Sequence, residues 1–238
     1  MLQEPFGIFR RNMQNESLRP YREHLRRRKA GLALKRAFDL LTAAVCVALL
    51  SPFYLIAAAA VKLTSKGPVF YYQERVGKDA RKIRVMKFRT MVVGADRRGQ
   101  LTVGSDDQRI TRVGKILRAS NFDEFPQMFN VLKGDMSIVG VRPEVSRYVA
   151  CYTPEDYATL LLRPGMASIT AILYRHENEM LSGSADPEKD YIEKILPEKM
   201  KFNREYIRNF SFGSDLIILL KTILCVFQKD QMLGKREQ

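Results

Sequence analysis

The feature that most constrains this chain is a long apolar run from residue 37 to residue 61, AFDLLTAAVCVALLSPFYLIAAAAV. Its clearly polar side chains are those of Asp39, Thr42, Ser51 and Tyr54. A straight helix of this length would extend about 37 Å at 1.5 Å per residue, whereas a bilayer's hydrocarbon core is roughly 30 Å thick. The run therefore predicts a membrane helix, with a buried helix of a soluble protein as the alternative.

Two features indicate that this helix enters the bilayer without crossing it. Ser51-Pro52 lies near its middle, and proline lacks an N–H donor and displaces the carbonyl of Ala48, so a bend is expected there. The Ser51 hydroxyl can compensate part of the lost hydrogen bonding. Basic residues flank the run on both sides, and such residues stay on the cytoplasmic side of a membrane. A re-entrant helix satisfies both observations; a spanning helix with an ordinary proline kink is the alternative.

The chain is strongly basic, and the charge is concentrated beside this run. Its 40 Lys and Arg against 26 Asp and Glu give a formal net charge of +14, and residues 1–36 hold ten basic residues against three acids. Such a segment is typical of proteins that bind nucleic acid or an anionic membrane, or of a solvated arm. A membrane-tethered nucleic-acid-binding protein is therefore the rival class, but the chain shows no stacking aromatic motif and no clear helix-turn-helix.

The cysteine and histidine content argues against three kinds of structural feature. The three cysteines lie far apart and there are only two histidines, so a disulfide framework, a structural zinc site and a histidine-rich metal site are not expected.

A second apolar stretch, SDLIILLKTILCVFQ, covers residues 214–228, with apolar residues at three- and four-residue intervals. Lys221 interrupts it and Asp215 precedes its apolar part, so it is predicted to lie in the membrane interface. A core helix is the alternative. Residues 229–238 predict a solvated tail.

Between the apolar stretches, residues 67–89 predict a β-hairpin, with VFYYQERV and KIRVMKFRTM joined by the turn GKDAR. Lys87 and Arg89 share one face of the second strand. Their position close behind a membrane segment suits phosphate binding.

Two helices are predicted next, over residues 106–118 and 123–132. Ser120 can act as an N-cap, with Asp123 three residues on as an acidic variant of the capping box. Acids in a first turn complement the helix dipole, which is an ordinary structural role for Asp123-Glu124. Glycine and proline then mark tight loops around Arg142 and at Arg163-Pro164-Gly165.

Taken in order, these motifs resemble those of the monotopic phosphoglycosyl transferases, bacterial sugar transferases that act on polyprenol phosphates. The matching stretches run from Lys35 to Met166, and FSFGSDLIILLKT extends them; residues 1–34 lie outside. In order, they are KRAFDLL, SP, GPVFYYQERVG, KFRTM, DDQRITRVGKILR, DEFPQMFNVLKGDMSIVGVRP and LRPGM.

The resemblance implies transfer of a phosphosugar from a nucleotide diphosphosugar, usually a UDP-sugar, to a membrane polyprenol phosphate. This would be the first membrane step in the synthesis of an exopolysaccharide, capsule, O-antigen or glycoprotein. It also implies that Asp123 attacks the sugar-bearing phosphate to form a covalent intermediate, and that Glu124 with Asp123 holds Mg²⁺.

Arginine and lysine would supply the remaining positive charge around the phosphates. Arg142 is the leading candidate for a bidentate phosphate contact. The further candidates, for each of which a surface salt bridge is the alternative role, are Lys87, Arg89, Arg109 and Arg118.

The sequence departs from the family pattern after Pro164, where a frequent GxTGWAQVNGR run becomes GMASITAILYR (165–175). The resemblance therefore does not extend to the identity of the sugar. The following stretch, HENEML (176–181), could bear on that specificity.

The predicted fold is α+β and mostly helical, with a small β-hairpin and interfacial amphipathic helices. Its parts are a basic N-terminal arm (1–34), a re-entrant membrane helix (35–64), a catalytic domain (65–228) and a solvated tail (229–238). The expected location is the bacterial inner membrane with the catalytic domain on the cytoplasmic face. The expected partners are polyprenol phosphate in the inner leaflet and a nucleotide sugar, without nucleic acid; an oligomer is compatible with the sequence.

Overall fold

The computed structural model describes residues 5–95 and 107–227. Asp106, the first residue of one predicted helix, and the predicted tail 229–238 lie outside the described residues, as do the first four residues of the predicted arm. Within the described ranges the chain is mostly helical with two small sheets. This confirms the predicted α+β, mostly helical class.

Two amphipathic helices precede the apolar run: α1 (Pro5–Asn12) and α2 (Arg19–Arg27), joined by a 3₁₀ turn at Glu16–Leu18. Their apolar side chains enter the main hydrophobic core, while most of their arginines are exposed. The buried residues are Phe6, Phe9, Met13, Leu18, Tyr21 and Leu25. Much of the predicted basic arm is therefore packed against the rest of the protein.

The apolar run forms α3 (Lys29–Thr64), a helix of 36 residues with Pro52 inside it. It is long and apolar enough to cross a membrane, and only 17% of its most apolar window is buried. The Ser51 hydroxyl donates a 2.8 Å hydrogen bond to the carbonyl of Ala48. This confirms the predicted compensation for the donor that proline lacks.

The N-terminal part of α3 is fixed to the rest of the protein by buried polar contacts. The Lys35 ammonium donates to the Val139 carbonyl and to the Asp215 carboxylate, at 2.6 Å each. The Asp39 carboxylate accepts hydrogen bonds from Ser137 Oγ at 2.7 Å and the Ile138 N–H at 2.9 Å. These contacts bury Lys35 and Asp39 of the KRAFDLL motif, whereas its Leu40 and Leu41 are exposed.

After α3 comes the predicted hairpin, which the structure confirms as antiparallel strands β1 (Phe70–Val76) and β2 (Lys82–Phe88). In its register Tyr71 lies opposite Lys87, and Arg75 lies opposite Ile83. Directly opposed residues point to the same side of a sheet, and so do alternate residues of one strand. Tyr71, Arg75 and Lys87 therefore share one face.

The next segment contains α4 (Arg112–Ala119), a 3₁₀ turn (Phe122–Glu124) and α5 (Gln127–Lys133). Both predicted helices begin later than expected, because Thr111 caps α4 and α5 starts after Pro126.

The predicted capping box at Ser120 is wrong. The Ser120 hydroxyl donates backwards to the carbonyls of Ile116 and Leu117 at the end of α4, and Asn121 reverses the chain with φ 56°. Asp123 and Glu124 therefore lie on a tight turn between two helices rather than in the first turn of one.

A two-stranded parallel sheet, which the sequence pattern did not predict, joins β3 (Ser137–Val139) to β4 (Gly165–Ala167). The backbones approach very closely beside it, since a Cβ on Gly165 would lie 2.0 Å from the Gly140 nitrogen. The predicted Arg-Pro-Gly turn therefore leads directly into a strand.

The rest of the described chain is helical. Pro197 lies in the first turn of α10, a position that favours proline. The elements are α6 (Ser146–Val149), a 3₁₀ turn (Asp156–Leu160), α7 (Ile169–Leu173), α8 (Glu177–Ser182), α9 (Pro187–Asp190), a π turn (Tyr191–Ile195), α10 (Leu196–Arg208) and α11 (Phe212–Phe227).

Candidate active site

A cavity of about 600 Å³ lies between the β1–β2 hairpin, the segment after β2 and the Phe122–Glu124 turn. Cavities of this size hold small-molecule ligands. Its wall contains the carboxylates of Asp123 and Glu74 together with several basic side chains. These basic residues are Arg75, Lys87, Arg89, Arg109 and Arg118.

Asp123 is 9% exposed, and no group in the described part of the chain donates a hydrogen bond to its carboxylate. Burial, together with the adjacent charge of Glu124, raises the pKa of Asp123 to about 6, although Lys87 and Arg118 act in the opposite direction. At neutral pH the carboxylate is mostly ionised yet poorly solvated. This combination suits a nucleophile.

Glu124 has the opposite environment. Lys87 Nζ lies 2.7 Å from Glu124 Oε1, and Arg142 donates to both carboxylate oxygens, at 2.5 Å and 3.0 Å. Burial alone would raise the pKa of Glu124, but Arg142 and Lys87 lower it well below its usual value. The Glu124 charge in turn raises the pKa of Arg142, whereas burial lowers that of Lys87. Glu124 thus holds two cations beside Asp123.

The predicted phosphate ligands fall into different positions. Lys87 and Arg118 line the cavity with Asp123; Arg118 Nε donates to Thr90 Oγ1 at 2.9 Å. Arg109 also lines it, but its guanidinium is held by the Asp107 carboxylate, with contacts of 2.6–2.9 Å. Lys87 and Arg118 are therefore the predicted cations that the structure brings directly to Asp123 within this cavity.

Arg89 differs from the expectation of a phosphate ligand. It is 5% exposed, and its terminal nitrogens donate to the carbonyls of Val61, Ser65 and Lys66 and to the Ser65 hydroxyl. The last carbonyls of a helix have no partner within the helix. The terminal nitrogens of Arg89 therefore bind the carbonyls at the C-terminal end of α3. These hydrogen bonds hold the end of α3 against the hairpin.

Arg75 is a site residue that the sequence interpretation missed. Its guanidinium donates to the Pro143 carbonyl at 3.0 Å and to Gln73 Oε1 at 2.8 Å, and burial lowers its pKa. The alternation of VFYYQERV could have revealed it, because Arg75 lies on the same strand face as Tyr71, and Lys87 lies on that face of the paired strand.

The site also contacts the membrane helix. Tyr54, two residues after Pro52, donates a 2.8 Å hydrogen bond to the Phe125 carbonyl. Its ring lies 5.8 Å from that of Phe122 and 5.9 Å from that of Phe88. The turn that carries Asp123 is therefore attached to the C-terminal half of α3, close to Pro52.

The two acids can accommodate magnesium when a substrate supplies further oxygens. The described residues contain no group of three or more His, Cys, Asp or Glu that could hold a metal ion by itself. Mg²⁺ is, however, usually bound by one or two carboxylates together with substrate phosphates. Glu124 accepts three hydrogen bonds, whereas a carboxylate has about four acceptor positions and those of Asp123 are open. The pair thus fits a metal bound together with a diphosphate.

Comparison with known protein families matches residues 30–229 to the family described as bacterial sugar transferase. A UDP-N-acetylgalactosamine-undecaprenyl-phosphate N-acetylgalactosaminephosphotransferase of Aeromonas hydrophila is 37% identical over 193 residues, which cover 80% of this chain and 43% of that protein. A UDP-glucose:undecaprenyl-phosphate glucose-1-phosphate transferase of Caulobacter vibrioides is 34% identical, covering 82% of this chain and 70% of its own length. The exopolysaccharide production protein ExoY of Rhizobium meliloti is 31% identical, covering 84% and 88%. The matched region is thus less than half of the Aeromonas protein and most of ExoY.

Proposed function

The chain belongs to the bacterial sugar transferase family, and we propose that it transfers a phosphosugar from a UDP-sugar to a polyprenol phosphate. The names of the Aeromonas and Caulobacter relatives specify this class of donor and acceptor, and that of ExoY specifies exopolysaccharide production. The observation that carries the proposal is the Asp123 carboxylate, which has no hydrogen-bond donor among the described residues and faces Lys87 and Arg118 across a ligand-sized cavity.

The proposed reaction consists of two displacements. A carboxylate oxygen of Asp123 attacks the sugar-bearing phosphorus, the bond from that phosphorus to the bridging oxygen breaks, and UMP leaves with the electron pair. A phosphate oxygen of polyprenol phosphate then attacks the acyl phosphate, which forms the polyprenyl diphosphosugar and restores the Asp123 carboxylate. Two displacements allow two anionic substrates to meet the enzyme one at a time.

Phosphoryl transfer depends mainly on positioning and charge neutralisation. Lys87 and Arg118 offer positive charge to the phosphates in the cavity, and Glu124 keeps Lys87 and Arg142 in fixed positions beside Asp123. We include Mg²⁺, held by Asp123 and Glu124 together with diphosphate oxygens, which when bound would neutralise phosphate charge.

We further propose that α3 is re-entrant and that the active site faces the cytoplasm. Near one end of α3, Lys35 is bonded to Val139 and Asp215; at the other end, Ser65 is bonded to Arg89. A protein body attached at both ends supports a helix that returns to the side it started from. The exposed apolar residues of α11 support its position in the membrane interface; they are Leu216, Ile217, Leu220, Ile223 and Leu224.

The reaction is tested with purified protein in detergent, undecaprenyl phosphate and a panel of UDP-sugars, with UMP release as the readout. We expect release with at least one donor and an added phosphosugar on Asp123 by mass spectrometry. An adduct on another residue, or substantial turnover by Asp123→Asn, would contradict the covalent step.

The topology is tested by cysteine labelling from each side of the membrane. Cysteines introduced just before and just after α3 should both label from the cytoplasmic side. For Pro52→Ala we expect a helix that straightens toward a spanning position. External labelling of the N-terminal helices in the unmutated protein would contradict the re-entrant arrangement.

A further inference from the structure

A second, smaller cavity adjoins the first and extends away from it past Arg142. Its volume is about 120 Å³, and Gln73, Arg75 and Val145 line both cavities. Arg142, whose guanidinium holds Glu124, lines only the smaller one. The smaller cavity therefore begins beside the catalytic acids and shares a wall with the larger cavity.

The far wall of the smaller cavity is a fixed polar network. Tyr191 donates to Glu144 Oε1 at 2.8 Å, and Lys199 Nζ donates to Tyr191 Oη at 3.1 Å and to Glu177 Oε2 at 2.9 Å. Glu144, Tyr191 and Lys199 are all less than 9% exposed. Because these groups hold one another in place, the wall is ordered before any ligand arrives.

Three polar groups on the lining keep hydrogen-bonding capacity within the described part of the chain. Tyr148 is 5% exposed, yet its hydroxyl has no partner there. Glu177 Oε1 accepts no hydrogen bond, and Gln73 Nε2 donates none. Tyr148 lines the smaller cavity and its hydroxyl is not one of the buried atoms without a partner, so this hydroxyl is open to a ligand or solvent molecule.

We propose, building on the function proposed above, that this smaller cavity binds the sugar ring of the nucleotide-sugar donor. Ring hydroxyls are neutral groups that both donate and accept hydrogen bonds, as the open positions on Tyr148, Glu177 and Gln73 require. A cavity needs only about 10–15 Å³ to hold one water, so a volume of about 120 Å³ has room for a ligand group larger than water.

The charges of the lining favour a sugar over a second phosphate. Three cations face the space, Arg75, Arg142 and Lys199, but so do the carboxylates of Glu144 and Glu177. A phosphate dianion would lie against both carboxylates, whereas hydroxyls can donate to them. Glu177 also belongs to the HENEML stretch, which follows the motifs shared with the family. A residue outside those motifs is suited to distinguish one sugar from another.

Tyr148→Phe is the sharpest test, because it removes a hydroxyl that makes no hydrogen bond in the described structure. Tyr157→Phe is the matched control: it removes the hydroxyl of another buried tyrosine, one that accepts a hydrogen bond from Asn12 outside both cavities. We expect Tyr148→Phe to raise KM for the preferred UDP-sugar about three- to tenfold. Inhibition by UMP and the Tm should stay unchanged, and Tyr157→Phe should leave the preference among donors unaltered.

A series of deoxy donors then identifies the contact. For the donor that lacks the hydroxyl bound by Tyr148, wild type and Tyr148→Phe should have equal KM. Equal effects of Tyr148→Phe on every donor, or an equal loss of UMP inhibition, would overturn the sugar subsite.

Different results would contradict the proposed sugar subsite and the proposed reaction. Absence of UMP release by wild type with any donor would count against the reaction. The subsite is read separately, from the extra thermal protection that a UDP-sugar gives over UDP. That difference should shrink in Tyr148→Phe and not in Tyr157→Phe; a difference unchanged in Tyr148→Phe would overturn the subsite.

Discussion

Replacing Asp123 by asparagine should abolish turnover and at the same time stabilise the fold. Asp123 is 9% exposed and its carboxylate accepts no hydrogen bond from the described residues, so the substitution removes no intramolecular hydrogen bond. What it removes is a charge that the folded protein holds unfavourably. If activity were lost because the fold was damaged, the free energy of unfolding would decrease. If it is lost because the nucleophile is missing, the free energy of unfolding should increase.

The magnitude follows from the pKa of Asp123, which burial and the charge of Glu124 raise from 3.8 to about 6. Roughly two pKa units correspond to about 3 kcal/mol. Because the folded-state pKa is the higher one, the folded state binds more protons between about pH 4 and 6, and wild-type stability falls as pH rises through that window. The substituted amide cannot ionise, so the gain from Asp123→Asn should be at most about 3 kcal/mol above pH 7 and disappear near pH 4.

The assay is thermal unfolding in detergent from pH 4.5 to 8, with UMP release measured on the same preparations. For a chain of this size, a 3 kcal/mol gain raises Tm by about 6–12 °C. Asp156→Asn is the control of opposite sign, because the buried Asp156 carboxylate accepts hydrogen bonds from Thr153 and Arg204. An Asp123→Asn protein that is less stable at pH 8, or equally stabilised at both ends of the pH range, would refute this reasoning.

Four further predictions follow from the same geometry. The acid limb of kcat/KM should have a midpoint near pH 6, with about a tenfold decrease from pH 7 to pH 5; a flat profile would exclude Asp123 as the titrating group. Glu124→Gln should lower kcat about 100-fold, raise the Mg²⁺ needed for half-maximal rate and move that midpoint to lower pH, since it removes a charge that raises the pKa of Asp123. Arg89→Ala should destabilise the protein by about 2–4 kcal/mol in chemical unfolding because it leaves the end of α3 without donors, while KM for the donor in a UMP assay changes less than about twofold. Gly165→Ala should cost a similar amount by the same unfolding measurement, because its Cβ would collide with the Gly140 backbone; near-normal stability would show that β3 and β4 can separate.

Local sequence patterns predicted the hairpin well and the parallel sheet not at all. Strands β1 and β2 are seven residues each and flank a glycine-containing turn, so strand-forming composition and turn chemistry agree. Strands β3 and β4 have three residues each, which is too short for any periodicity to show. Their pairing depends on the close approach of Gly140 and Gly165, a contact between distant parts of the chain.

The capping error has a similar origin. A serine followed three residues later by an acid is typical of a helix start, but Ser120 serves the end of α4 instead. The decisive residue is Asn121, whose positive φ allows the chain to reverse before Asp123. Asparagine is compatible with both conformations, so the sequence alone did not distinguish them.

Within the site, the sequence indicated which residues are present but not which of them cooperate. Lys87 and Arg89 belong to one motif and are two residues apart, so the strand pattern places them on the same face. In the structure, however, Lys87 donates a hydrogen bond to Glu124, whereas Arg89 donates to the carbonyls at the end of α3. The difference comes from where β2 ends: Arg89 follows the last strand residue and lies against the helix. Arg75 escaped notice because its partners, Gln73 and the Pro143 carbonyl, come together only when the hairpin packs against the Arg142 loop.

The arrangement of the adjacent acids would allow one dipeptide to supply the two roles proposed for it. Neighbouring carboxylates with the same surroundings would lose their protons in two steps that belong to the pair, and neither residue would have a role of its own. Here Lys87 and Arg142 both bond Glu124, so its charge is neutralised, whereas Asp123 keeps its oxygens open toward the cavity. Environments that push two pKa values apart distinguish the chemical roles of the groups. The left-handed turn at Asn121 and the bond from Tyr54 to Phe125 fix this asymmetric pair against the C-terminal half of α3.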